Sequence, residues 1–165
     1  MKAASTALAL GASLWLAAAA VAQPPEDPVQ WSASLDSTPP ISPGAAASVV
    51  VSGSIQDGWH VYALEQLPGG PTALKVSLAD TPLATAAGAP QGSKPQKVHD
   101  KAFGLDTQLY IHTLTVRLPV RLAAAAAAGS QQLTVNVRFQ SCRENECRPP
   151  KTVHLAVPVE VSAHE

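Results

Sequence analysis

The chain has 165 residues, with 11 Lys and Arg against 12 Asp and Glu and a formal net charge of −1. A surface so close to neutral offers no electrostatic footprint for nucleic acid or anionic lipid. With no methionine beyond Met1, the soft-ligand chemistry of copper handling is disfavoured.

The chain opens with Lys2 and the nearly unbroken apolar stretch from Ala7 to Val21, and Ala20-Val21-Ala22 gives a small-x-small pattern just before Gln23. This is the layout of a secretory signal peptide, so residues 1–22 are expected to be cleaved. An uncleaved anchor is the weaker reading, because the stretch is short and Ala-rich and no positive stop-transfer flank follows it. No cysteine stands at the cleavage point, so a lipoprotein anchor is not available. What remains, about 140 residues, suits one domain with its own core and no second span, hence no stable membrane insertion once processed. Both cysteines and all 15 prolines lie in that part. Export places the pair in an oxidising compartment, where it is expected as a disulfide at least part of the time.

Residues 23–28 read as a flexible, Pro-rich leader and 29–165 as the domain. Val29 to Leu35 alternates apolar with polar and predicts a first strand, and Ala47 to Ile55 a second. Asp57-Gly58 is a turn signal, and Trp59 to Leu64 leads off a third strand. There Trp59, Val61 and Ala63 share one face, and His60, Tyr62 and Leu64 the other. Ala73 to Leu78 follows as a strand, whereas Leu83 to Lys97 lacks periodicity and reads as loop with one short strand at most. Leu109 to Val120 alternates over a long span and predicts a single strand. The six alanines from Ala123 to Ala128, ended by Gly129, fit a helical turn or a loop tip. Leu133 to Phe139 predicts a strand with Leu133, Val135, Val137 and Phe139 inward, and Val153 to Val161 the last strand. About seven to nine short strands without an amphipathic helix predict an all-β, immunoglobulin-like β-sandwich, with a small barrel as the fallback.

Between the last two strands lies Cys142-Arg-Glu-Asn-Glu-Cys147, followed by Arg148-Pro149-Pro150. If the segment is a hairpin, the cysteines oppose each other with Cα atoms about 4.5–5.5 Å apart, within reach of a disulfide. As a staple such a bond is poorly placed: a loop of about six residues yields about 2 kcal/mol, against about 4.7 for a hundred-residue loop. A short solvent-facing loop is also where an incoming thiolate reaches a sulfur. Arg143 and Arg148 favour a thiolate and Glu144 and Glu146 oppose it, so charge does not choose the attacking cysteine. From the spacing alone the structural and redox readings both stand. A thioredoxin motif is not indicated, and the five histidines show no ligand-like spacing for zinc.

Phe139-Gln140-Ser141-Cys142, then Cys147-Arg148-Pro149-Pro150 and an alternating strand, resembles the N-terminal periplasmic domain of the DsbD thiol:disulfide interchange protein. Asp57-Gly58-Trp59-His60-Val61-Tyr62 resembles that family's Asp-Gly-aromatic strand, and His99-Asp100-Lys101-Ala102-Phe103-Gly104 its cap loop. The likeness runs from about Val29 to Val161. It implies an immunoglobulin-like fold with one catalytic pair, here Cys142 and Cys147, and no cofactor or metal. It further implies that Phe103 is the cap aromatic shielding the disulfide, and that Tyr62, His60 and Asp100 line the same site. Read without the resemblance, Phe103 is better explained as a core anchor of its loop, and Tyr62 and His60 fit an ordinary solvent face of a strand. The implied partners are a membrane-embedded thiol reductase as electron donor, and thioredoxin-like periplasmic proteins and cytochrome c maturation factors as clients.

The sequence stops at Glu165 with neither a membrane electron-transfer domain nor a thioredoxin-like domain. The expectation is therefore a stand-alone, periplasmic exchange module working with separately encoded partners. The competing reading is a non-catalytic periplasmic binding or assembly domain with a structural disulfide.

Overall fold

The computed structural model describes residues 27–101, 103–144 and 146–163. The expected signal peptide, and the leader up to residue 26, lie outside the described residues. Within them the chain forms strands and no helix: β1 (Val29–Leu35), β2 (Ala46–Ile55), β3 (His60–Tyr62), β4 (Lys75–Leu78), β5 (Ala84–Ala86), β6 (Gln91–Gly92), β7 (Gln96–Asp100), β8 (Leu105–Tyr110), β9 (Thr113–Leu122), β10 (Gly129–Phe139), β11 (Ser141–Arg143), β12 (Glu146–Cys147) and β13 (Lys151–Val161).

Alternation builds the sandwich. In β2 and β9 the inward residues are Val49, Val51, Ile55, Leu114, Val116, Leu118, Val120 and Leu122, all buried. In β10 and β13 they are Leu133, Val135, Val137, Phe139, Val157, Val159 and Val161, also buried. These two sets belong to one apolar cluster, so the sheet β1-β2-β9-β5 faces the sheet β13-β10-β4 across a common core. Strand pairing is antiparallel, and a parallel bridge from Ile41 to Val161 ties the first long connection to the end of β13. The fold is an immunoglobulin-like β-sandwich, all-β as its sequence periodicity predicts.

A third sheet, ordered β12-β11-β3-β8-β7, carries the cysteines. It is fastened to the core by one face: Trp59, Val61, Ala63 and Tyr110 join the main cluster. Its other face holds a separate small cluster of Tyr62, Leu109 and Cys142, against which Val98 and Ile111 pack. The division of Trp59, Val61 and Ala63 from His60 and Tyr62 follows the expected alternation, although Leu64 packs on the main core.

Two expectations are corrected. The stretch Leu109 to Val120 is not one strand: β8 belongs to the third sheet and β9 to the first, with a break at His112, whose φ is 60°. Tyr110 and Leu114 are both buried and in phase, so the alternation runs through the break unmarked. His112 absorbs the turn in a left-handed conformation and its carbonyl accepts a hydrogen bond from the Ile55 amide at 2.7 Å. The stretch Leu83 to Lys97 holds more than one short strand. It contributes β5, β6 and the start of β7, with β5 and β6 both paired to β9. Their Ala, Gly and Gln residues have low strand propensity, and the β9 edge supplies the ladder that composition does not announce. The alanine run is a loop tip, with Ala126 buried beneath it.

Candidate functional site

Gln140 separates β10 from β11, and the chain then turns back on itself within six residues as the β11–β12 hairpin. Glu144 at its tip has a φ of 42°. Two contacts close its base: the Arg148 amide donates to the Ser141 carbonyl at 2.9 Å, and Gln140 Nε2 donates to the Arg148 carbonyl at 3.2 Å. Cys142 and Cys147 are directly paired and joined by a disulfide, with Cα atoms 4.1 Å apart. That is slightly closer than the separation of ordinary opposed residues used to judge the pair from sequence.

The two sulfurs sit in different environments. Cys142 is 1 % exposed and packs into the apolar cluster of Tyr62 and Leu109. Cys147 lies in the exposed edge strand β12. An approaching thiolate therefore meets Cys147 first, and a sulfur released at Cys142 is released into a dry environment.

Strand β3 lies beside β11, with Cys142 opposite His60 and Ser141 opposite Val61. Opposed residues in an antiparallel pair project to the same face, so His60 stands on the Cys142 side of the sheet. Tyr62 follows on that face, and its ring meets His60 edge-on at 5.0 Å and Phe103 edge-on at 6.0 Å. The Tyr62 hydroxyl donates to Asp100 Oδ2 at 2.7 Å. Burial, and then this bond and the Asp100 charge, push the phenol well above its usual range. Burial lowers the His60 imidazole from its ordinary value, an effect that Asp100 opposes. His60 Nε2 is buried with no hydrogen-bond partner.

The sequence segment read as a cap loop is the end of a hairpin. His99 and Asp100 belong to β7 and pair with Asp106 and Leu105 of β8. The turn is closed by the Gly104 amide donating to the Asp100 carbonyl at 2.8 Å, with Gly104 at a φ of 65° that a side chain rarely adopts. Phe103 at this tip is 37 % exposed and rests on Tyr62. It is not part of the main apolar core, so the core-anchor alternative does not describe it. His60 and Tyr62 thus stand on the Cys142 face of the sheet, with Asp100, 38 residues along the chain, and Phe103 both held against Tyr62.

On the opposite face the sequence reading missed an arrangement around Trp59. The guanidinium carbons of Arg143 and Arg148, one residue after each cysteine, both lie 5.0 Å from the Trp59 ring centre. Arg143 is also paired with Glu146 at 2.9 Å. These cations are therefore held against an aromatic ring and a carboxylate rather than directed at Cys142. The signal was an Arg after each Cys and a Trp after the Asp-Gly turn, legible only once β11 is known to pair with β3. Beside the hairpin opens a groove of about 650 Å³, lined in part by Phe139, Arg143, Arg148, Pro149 and Pro150. Among the described residues no group of three or more His, Cys, Asp or Glu is placed to hold a metal ion.

The sequence model for the family described as thiol:disulfide interchange protein DsbD, N-terminal, matches residues 31–158. Among solved structures, the N-terminal periplasmic domain of ScsB from Proteus mirabilis aligns with a TM-score of 0.49 at 16 % identity, over 85 % of this chain and 49 % of that one. This chain thus spans about half the length of that domain. AggA, the major subunit of aggregative adherence fimbriae type I from Escherichia coli, aligns with a TM-score of 0.41 at 9 % identity, over 82 % of this chain and 97 % of that one. No curated protein matches the sequence.

Proposed function

The chain belongs to the family of the N-terminal domain of the thiol:disulfide interchange protein DsbD, and from that premise we propose that it is a periplasmic thiol–disulfide exchange module working through Cys142 and Cys147. The observation that carries the reading is the asymmetry of the bond. One sulfur lies on an exposed edge strand and the other is buried against Tyr62 and Leu109. A structural staple needs no such asymmetry, and a bond spanning five positions gains little from loop closure.

In this reading Cys147 is the sulfur that partners attack, and Cys142 is the resolving sulfur. A donor thiolate attacks Cys147 Sγ, the Cys142–Cys147 bond breaks, and its electron pair leaves on Cys142. The second thiolate of the donor then attacks the mixed disulfide and releases Cys147. The donor is oxidised to a disulfide and the pair in this chain is reduced to two thiols. The same steps in reverse reduce a client. Phe103 and Tyr62 cover the Cys142 side, so small oxidants and reductants are screened while a folded partner displaces the cap. The donor is a membrane-embedded thiol reductase, and the clients are thioredoxin-like periplasmic proteins, including those serving cytochrome c maturation. Residues 1–22 direct export and are removed, and after the leader of residues 23–28, residues 29–165 form the working domain.

Trapping tests the proposal. The Cys142→Ala protein, which keeps Cys147, is expected to accumulate a mixed disulfide with a thioredoxin-like partner, and Cys147→Ala is not. The potential of the native pair is expected within about −120 to −270 mV, the span of exchange proteins. A bond that stays closed below about −300 mV, with neither variant trapping a partner, would leave a binding domain with an inert disulfide.

A further inference from the structure

The exposed side of the exchange reaction is explained by Cys147, but the buried side has no stated home for a proton. Cys142 is 1 % exposed among Tyr62, Leu109, Val98 and Ile111. Burial in such surroundings holds a thiol protonated, so that little thiolate is present to attack, and makes the sulfur an unfavourable leaving group. The two arginines nearest in sequence are held against Trp59, on the other face of the sheet. The group that does oppose Cys142, on the same face, is His60.

We propose that His60 is the proton acceptor and donor for Cys142, so that the buried sulfur gains and loses its proton within the capped site rather than through solvent. This rests on the exchange reading above. Three observations support it. The pairing of β3 with β11 sets the Cβ atoms of His60 and Cys142 about 4.5–5.5 Å apart, the spacing of opposed residues. Nε2 of His60 is buried and has no hydrogen-bond partner while the disulfide is closed, which leaves a lone pair for a proton that exists only in the reduced state. The ring is held on edge by Tyr62 at 5.0 Å, and Tyr62 is fixed in turn by its bond to Asp100. The titratable groups bearing on His60 are Tyr62 on its own strand, Asp100 from β7, and the two cysteines of the hairpin. Desolvation keeps the imidazole neutral near pH 7 in the disulfide form, the state a base requires.

In client reduction the step balances as follows. Cys142 thiol gives its proton to His60 Nε2, and the Cys142 thiolate attacks Cys147 Sγ in the mixed disulfide. The Cys142–Cys147 bond forms, the bond from Cys147 to the client sulfur breaks, and the client sulfur leaves with the electron pair. The imidazolium then loses its proton to water and the client thiolate takes one up. In the opposite direction His60 takes up a proton from water and passes it to Cys142 as that sulfur leaves. Asp100, on the far side of Tyr62, favours the imidazolium through its charge.

The experiment uses the whole chain after removal of any signal peptide. The reduced protein is converted to the Cys147–glutathione mixed disulfide, and release of glutathione by Cys142 is followed across about pH 5 to 9, the range in which a histidine titrates. His60→Gln is expected to slow closure about 100-fold near neutral pH, the lower end of what a positioned general base contributes. It should also replace a plateau above the His60 titration by a rate that climbs steadily with pH. Attack of an external thiolate on Cys147 of the closed disulfide, which expels Cys142, should slow as well. If His60→Gln closes within twofold of the native rate with the same pH profile, the proposal is overturned. A second measurement needs no variant: the His60 imidazole NMR titration is compared in the oxidised and reduced native protein. A shift on reduction that moves together with the thiolate absorbance supports the coupling, and identical titrations overturn it. If glutathione never opens the native disulfide, it is the exchange reading itself that falls.

Discussion

Removing the disulfide should weaken the domain without unfolding it. The bond spans five positions, and closing a loop of about six residues restricts the unfolded chain by about 2 kcal/mol. A bond across a hundred residues would contribute about 4.7 kcal/mol. Neither cysteine belongs to the main core between the two large sheets, and Cys142 packs only in the small cluster of the third sheet. The reduced protein, and the Cys142→Ala, Cys147→Ala double variant, should therefore keep the sandwich. Each should melt about 6–8 °C lower, on the scaling for a domain of this size. The same free energy acts on the redox couple: a fold stabilised by about 2 kcal/mol holds the disulfide about 45 mV more negative than the same dithiol in an unfolded chain. Urea melts of the oxidised, reduced and doubly substituted proteins measure the first quantity, and glutathione equilibration in and out of denaturant the second. A loss above about 4 kcal/mol, or unfolding on reduction, would refute the argument and make the bond a staple. No loss at all would refute the loop-entropy reasoning from the other side.

Tyr62→Phe removes the bond to Asp100, a hydrogen bond to a carboxylate, and should cost about 1.5–3 kcal/mol in a denaturant melt. Because the folded protein holds the Tyr62 phenol above its ordinary value of 10.0, the folded state keeps a proton that the unfolded chain releases. That contribution to stability is complete below pH 10.0 and is lost as the pH rises beyond it. The alkaline loss should be smaller in Tyr62→Phe, and equal slopes in the two proteins would contradict the assigned environment. Gly92→Ala would place a Cβ 2.3 Å from the Tyr110 hydroxyl, which itself donates to the Ser93 carbonyl. Overpacking there should destabilise by about 1–3 kcal/mol, and a neutral substitution would show that Tyr110 moves freely. Phe103→Ala uncovers Tyr62 and the cluster beneath it, so reduction by a small thiol should be several-fold faster while the melt shifts by less than about 1 kcal/mol, since Phe103 is partly exposed already. An unchanged rate would deny Phe103 a shielding role.

The large sheets were legible because their information is local. Two-residue alternation in Val29 to Leu35, in the second strand and in Leu133 to Phe139 states which residues turn inward, and a window of a few residues contains it. The cysteine hairpin, its double-proline exit and the aromatic strand after Asp57-Gly58 were equally readable, and together they carried the family resemblance. Where the chain changes sheet at His112 nothing in the alternation records it, since Tyr110 and Leu114 remain in phase across the break. The short strands β5 and β6 exist because β9 offers them an edge, a property of β9's position rather than of their own residues.

The chemistry of the site belongs to the second kind of information. The sequence by itself determined that two cysteines lie five apart in a turn flanked by arginines. Only the tertiary structure decided that one is buried and the other exposed, that both arginines turn to Trp59, and that His60 stands opposite Cys142. Each of those facts follows from β11 pairing with β3, a contact across some eighty residues of chain whose register is set by packing the third sheet onto the core. Local periodicity says which face a residue prefers. Which partner it meets there is settled by strand order, and strand order is a property of the whole fold.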